Sequence, residues 1–269
     1  MRKSILGASG LLLFVAPSAY AQEFDGPYIG VAVGYGFEKG GTNETVRFDR
    51  GFDGTDDVVT TTAGTDAFSP GFCDGRARST ANAGCKRENG IDYHFRAGYD
   101  AQFGNFVLGV VGEAGSSSMR DSVSAFSTTP ASYTLTRKID WEAAVRVRAG
   151  YALGGTTLAY VTAGPSYAEI KNTFSTSNGQ NAFLDNGDFR EWGVSGGGGI
   201  EHKISSSVSV GVEYLYTRYN DDNYRVRATR GAANAINPFI LFGAPGTEFR
   251  RSDDRFDFHA VRGTLSFRF

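Results

Sequence analysis

Six ionisable residues of this 269-residue chain, Arg96, Glu113, Arg146, Arg148, Glu213 and Arg262, fall at positions that strand alternation turns away from the apolar face. Guanidinium and carboxylate groups gathered there can neutralise one another in a dry interior, or line a narrow charged conduit gated by exchange of partners. An unpaired charge in a confined space costs several kcal/mol, so Glu113 and Glu213 are expected to pair with Arg146, Arg148 or Arg262. Asp92, His94, Glu142 and Glu191 share this parity toward one rim, and Glu201 and Arg268 toward the other. Hydrolytic chemistry finds less support. A serine nucleophile needs an imidazole within reach, yet none of His94, His202 and His259 is followed two positions later by Ser. The histidines form no HxxxH pair, and the glycines at 196–199 precede no helix, so they are not a nucleotide loop. No catalytic, cofactor or metal residue is expected.

Cys73 and Cys85 are the only two cysteines. In an oxidising compartment the default is a disulfide, contributing roughly 3 kcal/mol by loop closure. A metal site lacks the CxxC spacing it would need. The compartment is legible at the N-terminus. Arg2 and Lys3 precede an apolar stretch at 5–16, then Pro17 and the small residues Ala19 and Ala21, the three-part form of a secretory signal. Cleavage after Ala21 divides the chain into a signal peptide, 1–21, and an exported domain, 22–269. Composition narrows that domain. Thirty-six glycines argue against long helices, aromatics at 13% argue against disorder, and 27 basic against 29 acidic groups leave no basic footprint for nucleic acid. A mean hydropathy of −0.27 does not exclude a membrane, because a transmembrane barrel alternates apolar and polar residues.

The elements that position the charges are strands. In 28–37 the residues Ile29, Val31, Val33, Tyr35 and Phe37 are large and apolar, whereas 30, 32, 34 and 36 are Gly or Ala. Ile91, Tyr93, Phe95, Ala97 and Tyr99 alternate with Asp92, His94, Arg96 and Gly98. Trp141, Val145, Val147 and Tyr151 alternate with Glu142, Arg146, Arg148 and Gly150. Five more segments, 106–115, 157–171, 189–204, 208–219 and 255–269, bring the count to eight. In the fifth, either Leu158 and Tyr160 or Ala159 and Val161 could face outward. In the sixth, Trp192, Val194 and Ile200 define the outer face. Links alternate between short (100–105, 152–155, 205–207) and long (38–89, 116–139, 172–188, 220–254), as in a small outer-membrane barrel with tight periplasmic turns and long external loops. The last residues, Phe267 and Phe269, belong to an aromatic girdle at the periplasmic interface.

The segments at 26–37 (GPYIGVAVGYGF), 141–151 (WEAAVRVRAGY), 158–171 (LAYVTAGPSYAEIK) and 210–221 (VGVEYLYTRYND), with the terminal FRF, resemble the small porin-like outer-membrane β-barrel family of Gram-negative bacteria. The resemblance covers nearly all the strands but not the long loops. It implies an all-β fold, an eight-stranded antiparallel transmembrane up-and-down barrel, with Phe267 and Phe269 as the signal for insertion by the barrel-assembly machinery. The family includes surface antigens and some haem-binding proteins. Haem ligation here would need His94 or a loop Tyr to be reachable from outside. Eight strands enclose room for side chains or one small ligand. The expected role is therefore envelope structure and surface presentation; a narrow solute channel is the main rival, and a surface adhesin or haem binder comes third. Expected partners are outer-membrane lipid, lipopolysaccharide and a host or envelope surface partner, with no nucleic acid and no cofactor. In the last long loop an apolar decapeptide, 236–245, flanked by Arg225, Arg227, Arg230, Arg250 and Arg251, is expected to fold over the barrel mouth.

Overall fold

Alternation along the chain becomes strand almost everywhere in the computed structural model, which describes residues 23–38, 44–68 and 87–269. The signal peptide, Cys73 and Cys85 lie outside the described residues. In chain order the strands are β1 (Gly26–Phe37), β2 (Val46–Arg50), β3 (Arg87–Glu88), β4 (Gly90–Phe103), β5 (Phe106–Ser117), β6 (Arg120–Ser127) and β7 (Ala131–Leu153). There follow β8 (Thr157–Thr176), β9 (Ala182–Asp185), β10 (Phe189–Lys203), β11 (Val208–Asn220), β12 (Val226–Thr229), β13 (Gly246–Arg251) and β14 (Arg255–Arg268), with one 3-10 segment, Pro238–Gly243.

Eight of these strands form a ring. Antiparallel ladders join β1 to β4, β4 to β5, β5 to β7, β7 to β8, β8 to β10, β10 to β11, β11 to β14, and β14 back to β1. The sheet has no free edge around this ring, as a hydrocarbon environment requires. Phe95, Val145 and Val212 point outward, 73%, 55% and 61% exposed, while Arg96, Arg146 and Glu213 point inward and are buried. Trp192, Val194 and Ile200 are outward. In β8 the two-way choice resolves to Leu158, Tyr160 and Thr162 inside and Val161 outside. Pro165 has no N–H to give the ladder, and the β7–β8 pairing lapses opposite it, between Ala144↔Ser166 and Val147↔Ala163. The small residues on the inner face of β1 make room: a Cβ at Gly36 would lie 2.5 Å from the Met119 sulfur.

Where they are described, the long links carry strands. β7 has 23 residues and β8 has 20, whereas about 9 to 11 cross the hydrocarbon layer. Their excess projects beyond the membrane, where β6 pairs with the first half of β7 in a hairpin. A second sheet, in the order β2-β13-β12-β9, is built from the links expected to be irregular. Phe48, Phe68, Val123, Tyr133, Leu135, Val226 and Phe249 bury one apolar core between these parts. The result is a cap of folded β-structure. Alternation was present in Val123, Ala125, Tyr133 and Leu135, but small Ser and Thr residues between them blur the strand signal. The decapeptide at 236–245 is built into this cap. It enters the cap core through Phe239, Ile240 and Leu241, with the Phe239 ring 5.1 Å from Phe249, and leaves Ile236 and Phe242 exposed.

Candidate functional site: the charged lumen and the buried charges of the cap

Inside the ring the inward side chains form three layers. At the periplasmic end, Arg268 reaches Asp100 at 2.7 Å and Glu201 at 2.9 Å, and Arg148 pairs with Glu201 and lies 3.8 Å from Asp100. Tyr28 lies beneath both guanidiniums, 5.7 Å from Arg148 and 4.7 Å from Arg268, and the Arg148 guanidinium stacks 4.1 Å from the Tyr160 ring. Such contacts are favourable where water is excluded. Phe24 closes this end under Arg268, its backbone N–H held by Gln102 at 2.8 Å.

The middle layer joins six strands of the wall. Glu113 is 2.8 Å from Arg146, 2.9 Å from Arg262 and 3.5 Å from Arg96. Glu213 lies 3.5 Å from Arg96 and 3.7 Å from Arg146, and accepts a 2.9 Å hydrogen bond from the Tyr160 hydroxyl. Register sets these encounters: Arg96 is opposite Glu113, and Glu213 opposite Arg262. Of the six residues singled out from the sequence, the structure brings five together here. Arg148 stands apart. Two residues beyond Arg146 on one face of β7, it drops a layer, where Glu201 and Asp100 meet it.

The upper layer holds Asp92, His94 and Glu142. His94 Nδ1 is 3.2 Å from Asp92 and Nε2 is 3.1 Å from Glu142, while Arg262 also pairs with Asp92 and Tyr219 donates to Glu142 at 2.6 Å. These are the residues with metal-binding donors that converge among the described residues. Each ring nitrogen faces a different carboxylate, and the guanidinium of Arg262 lies against Asp92, so these donors are engaged with one another. The arrangement is that of an imidazole clamped between two acids. Its void, lined in part by His94, Glu142 and Arg262, has about 10 Å³, room for about one water. His94 is 4% exposed, out of reach of a ligand outside. Above it Met119, Ile139, Ile170, Tyr219, Phe256 and Phe258 pack into an apolar plug.

Beyond the plug lies a cluster that sequence reasoning missed. Arg137 donates to Asp121 and Asp221, each at 3.0 Å; Arg251 grips Glu44 through two bonds of 2.6 and 2.7 Å and also pairs with Asp121. Five buried charges therefore tie the β6–β7 hairpin to β13 and to the residue leading into β2. Three carboxylates face two guanidiniums, and burial pushes the Glu44 carboxyl above its ordinary value of 4.5, against the pull of Arg251. Asp100, Tyr28 and Tyr160 were missed as well. Asp100 sits in the turn-like string Tyr99-Asp100-Ala101-Gln102, and only the extension of β4 to Phe103 shows that it faces inward.

The chain is similar to known outer-membrane sequences. A family model described as outer membrane protein beta-barrel domain matches residues 6–269. The 31 kDa outer-membrane immunogenic protein of Brucella melitensis is 27% identical over 175 residues, covering 65% of this chain and 64% of that protein. The 25 kDa outer-membrane immunogenic protein of Brucella abortus is 32% identical over 133 residues, covering 49% of this chain and 54% of that protein. The chain thus spans less than two thirds of the length of these curated relatives. Among solved structures, the outer membrane protein OprG from Pseudomonas aeruginosa superposes with a TM-score of 0.48 at 11% identity, over 91% of this chain and 97% of that one.

Proposed function

Because the chain belongs to the outer membrane protein β-barrel domain family, and is an outer-membrane protein, we propose that it acts as a filled wall carrying a folded cap at the cell surface. Its role in this reading is structural and surface-presenting, neither conducting nor catalytic. One observation carries it: the space within the ring is occupied from end to end by interlocked charges, closed by Phe24 on one side and by the Met119–Phe256 plug on the other. A gate by partner exchange would have to break several buried ion pairs together, each costing about 3–5 kcal/mol. The names of the Brucella relatives, which call them outer-membrane immunogenic proteins, support exposure at the surface.

Partners follow from position. Lipid and lipopolysaccharide surround the apolar outer face; the assembly machinery reads the aromatic pair Phe267 and Phe269; a host or envelope partner meets the cap. A catalytic reading gains no support from the remaining histidines, since His202 bonds to Thr157 and His259 to Tyr214 on the wall. The test is electrical. Refolded protein in a planar bilayer is expected to give no stable single-channel steps, and regular steps would overturn the filled-wall reading in favour of a narrow channel.

A further inference from the structure

On the cap, apart from the charge network, the β6–β7 turn, the link 177–180 and the segment 233–238 enclose a cleft of about 470 Å³, within the range of small-molecule sites. Among the described residues, none that lines it is charged, in a chain that is 21% Asp, Glu, Lys and Arg. Its base is a relay of amides. Asn178 donates to the Tyr133 hydroxyl and to Asn181, each at 2.9 Å; Asn181 donates to the Thr229 carbonyl at 3.0 Å; Asn237 donates to Asn181 at 3.0 Å. Asn178 also accepts the backbone N–H of Gln180 at 2.8 Å, and Asn237 that of Phe239 at 3.1 Å. These groups satisfy one another and fix the three segments in place. What remains open stands on the rim. Asn234 uses its oxygen to accept from the Ile236 N–H at 3.2 Å, leaving its Nδ2 to solvent, and the Gln180 amide is exposed. Beside them Ile236, 63% exposed, and Pro130 supply apolar edges.

We propose that this cleft binds a neutral saccharide. Among the described residues a ligand here meets no fixed charge, so an anion or cation would lose water without gaining a counter-ion from them. Primary amides both donate and accept, matching hydroxyls that do the same, and the C–H face of a sugar ring suits Ile236 and Pro130. The proposal rests on the cap facing outward at the cell surface. Two sources share this chemistry: the neutral sugars of the cell's own lipopolysaccharide and a glycan on another surface.

Saturation-transfer NMR on the full chain, refolded in a non-glycosidic zwitterionic detergent, tests it. One arm uses glucose, galactose, N-acetylglucosamine and their disaccharides; the other uses delipidated polysaccharide from the producing cell. Transfer to at least one neutral sugar is expected, with affinity falling roughly tenfold in the Gln180→Ala/Asn234→Ala variant, the worth of one or two hydrogen bonds. Ile236→Ser, altering only the apolar rim, is the second variant and is expected to weaken binding as well. A signal in the polysaccharide arm places the ligand in the cell's own envelope; a signal from free sugars alone places it elsewhere. No transfer in either arm, or transfer undiminished in both variants, overturns the proposal. Conductance of the same preparation reports separately on the filled wall, so either idea can fail without the other.

Discussion

The wall and the cap are built from the same antiparallel strands and are inside out relative to each other. In the wall, Phe95, Val145 and Val212 face outward and Arg96, Arg146 and Glu213 face inward; in the cap, Leu135, Val226 and Phe249 are buried while Arg47 and Arg227 lie outside. The medium decides: lipid accepts apolar side chains on the outer face and water accepts charges. β7 crosses from one regime to the other. Its odd residues are mainly apolar throughout, from Tyr133 and Leu135 to Val145 and Val147. Before Asp140 the odd residues point inward, and after it they point outward, because the pairing with β8 shifts by one between Ile139 and Trp141. One extra residue reverses which face a continuous pattern presents.

Removing that residue together with its neighbour is the harshest way to break the contrast. Deleting Asp140 alone would join Ile139 to Trp141 in a regular ladder and leave both facings in place, whereas deleting Ile139 and Asp140 together would carry the odd residues of the cap and the wall to the same side, so either Tyr133 and Leu135 leave the cap core or Arg146 and Arg148 turn to lipid. Loss of the heat-dependent gel mobility of the folded barrel is expected for the double deletion and a normal shift for the single one, and a normal shift with an intact cap in both would show that facing does not depend on the bulge.

Single substitutions sharpen the comparison by striking one region at a time. Arg262→Leu strips Asp92 of its guanidinium and Glu113 of one of three, at a cost of about 3–5 kcal/mol, read as a lower urea midpoint for the barrel. Phe249→Ala removes a ring packed at 5.0 Å from Phe48 and 5.6 Å from Tyr133. It costs a similar figure of about 3–5 kcal/mol, but the loss should appear as protease cleavage within the cap while the barrel keeps its midpoint. If each variant lowered both readouts equally, the two regions would be one cooperative unit.

The smallest effect is one of pH. Burial raises the Glu44 carboxyl, so the folded cap binds this proton more readily than the unfolded chain does. Its contribution is fully present below the ordinary value of 4.5 and is lost as pH rises through the higher folded value. Protease resistance of the cap is expected to decline over that interval, and Glu44→Gln to flatten the slope. An unchanged slope would place the proton elsewhere in the cluster.

How far the sequence could be read follows the strength of alternation. Where large apolar and ionic residues alternate, as in 91–99 and 141–151, strand, facing and the inward charges were all legible. In 120–137 the intervening residues are mostly Ser and Thr, which suit either an exposed strand or a loop, and the hairpin went unseen. The Arg137–Asp121–Arg251–Glu44 cluster was hidden for a further reason, since its members come from four separate segments that only the folded cap brings together.

By itself the chain determined the ring of eight strands, its membrane-facing surface and the charged character of its interior, because a period of two is a local property of neighbouring residues. Tertiary structure alone decided which charges meet, that Arg148 joins Glu201 and not Glu113, and that the long links fold into a second sheet. Those outcomes depend on register between strands far apart in the chain and on one bulge at Asp140, and neither has a counterpart in local composition.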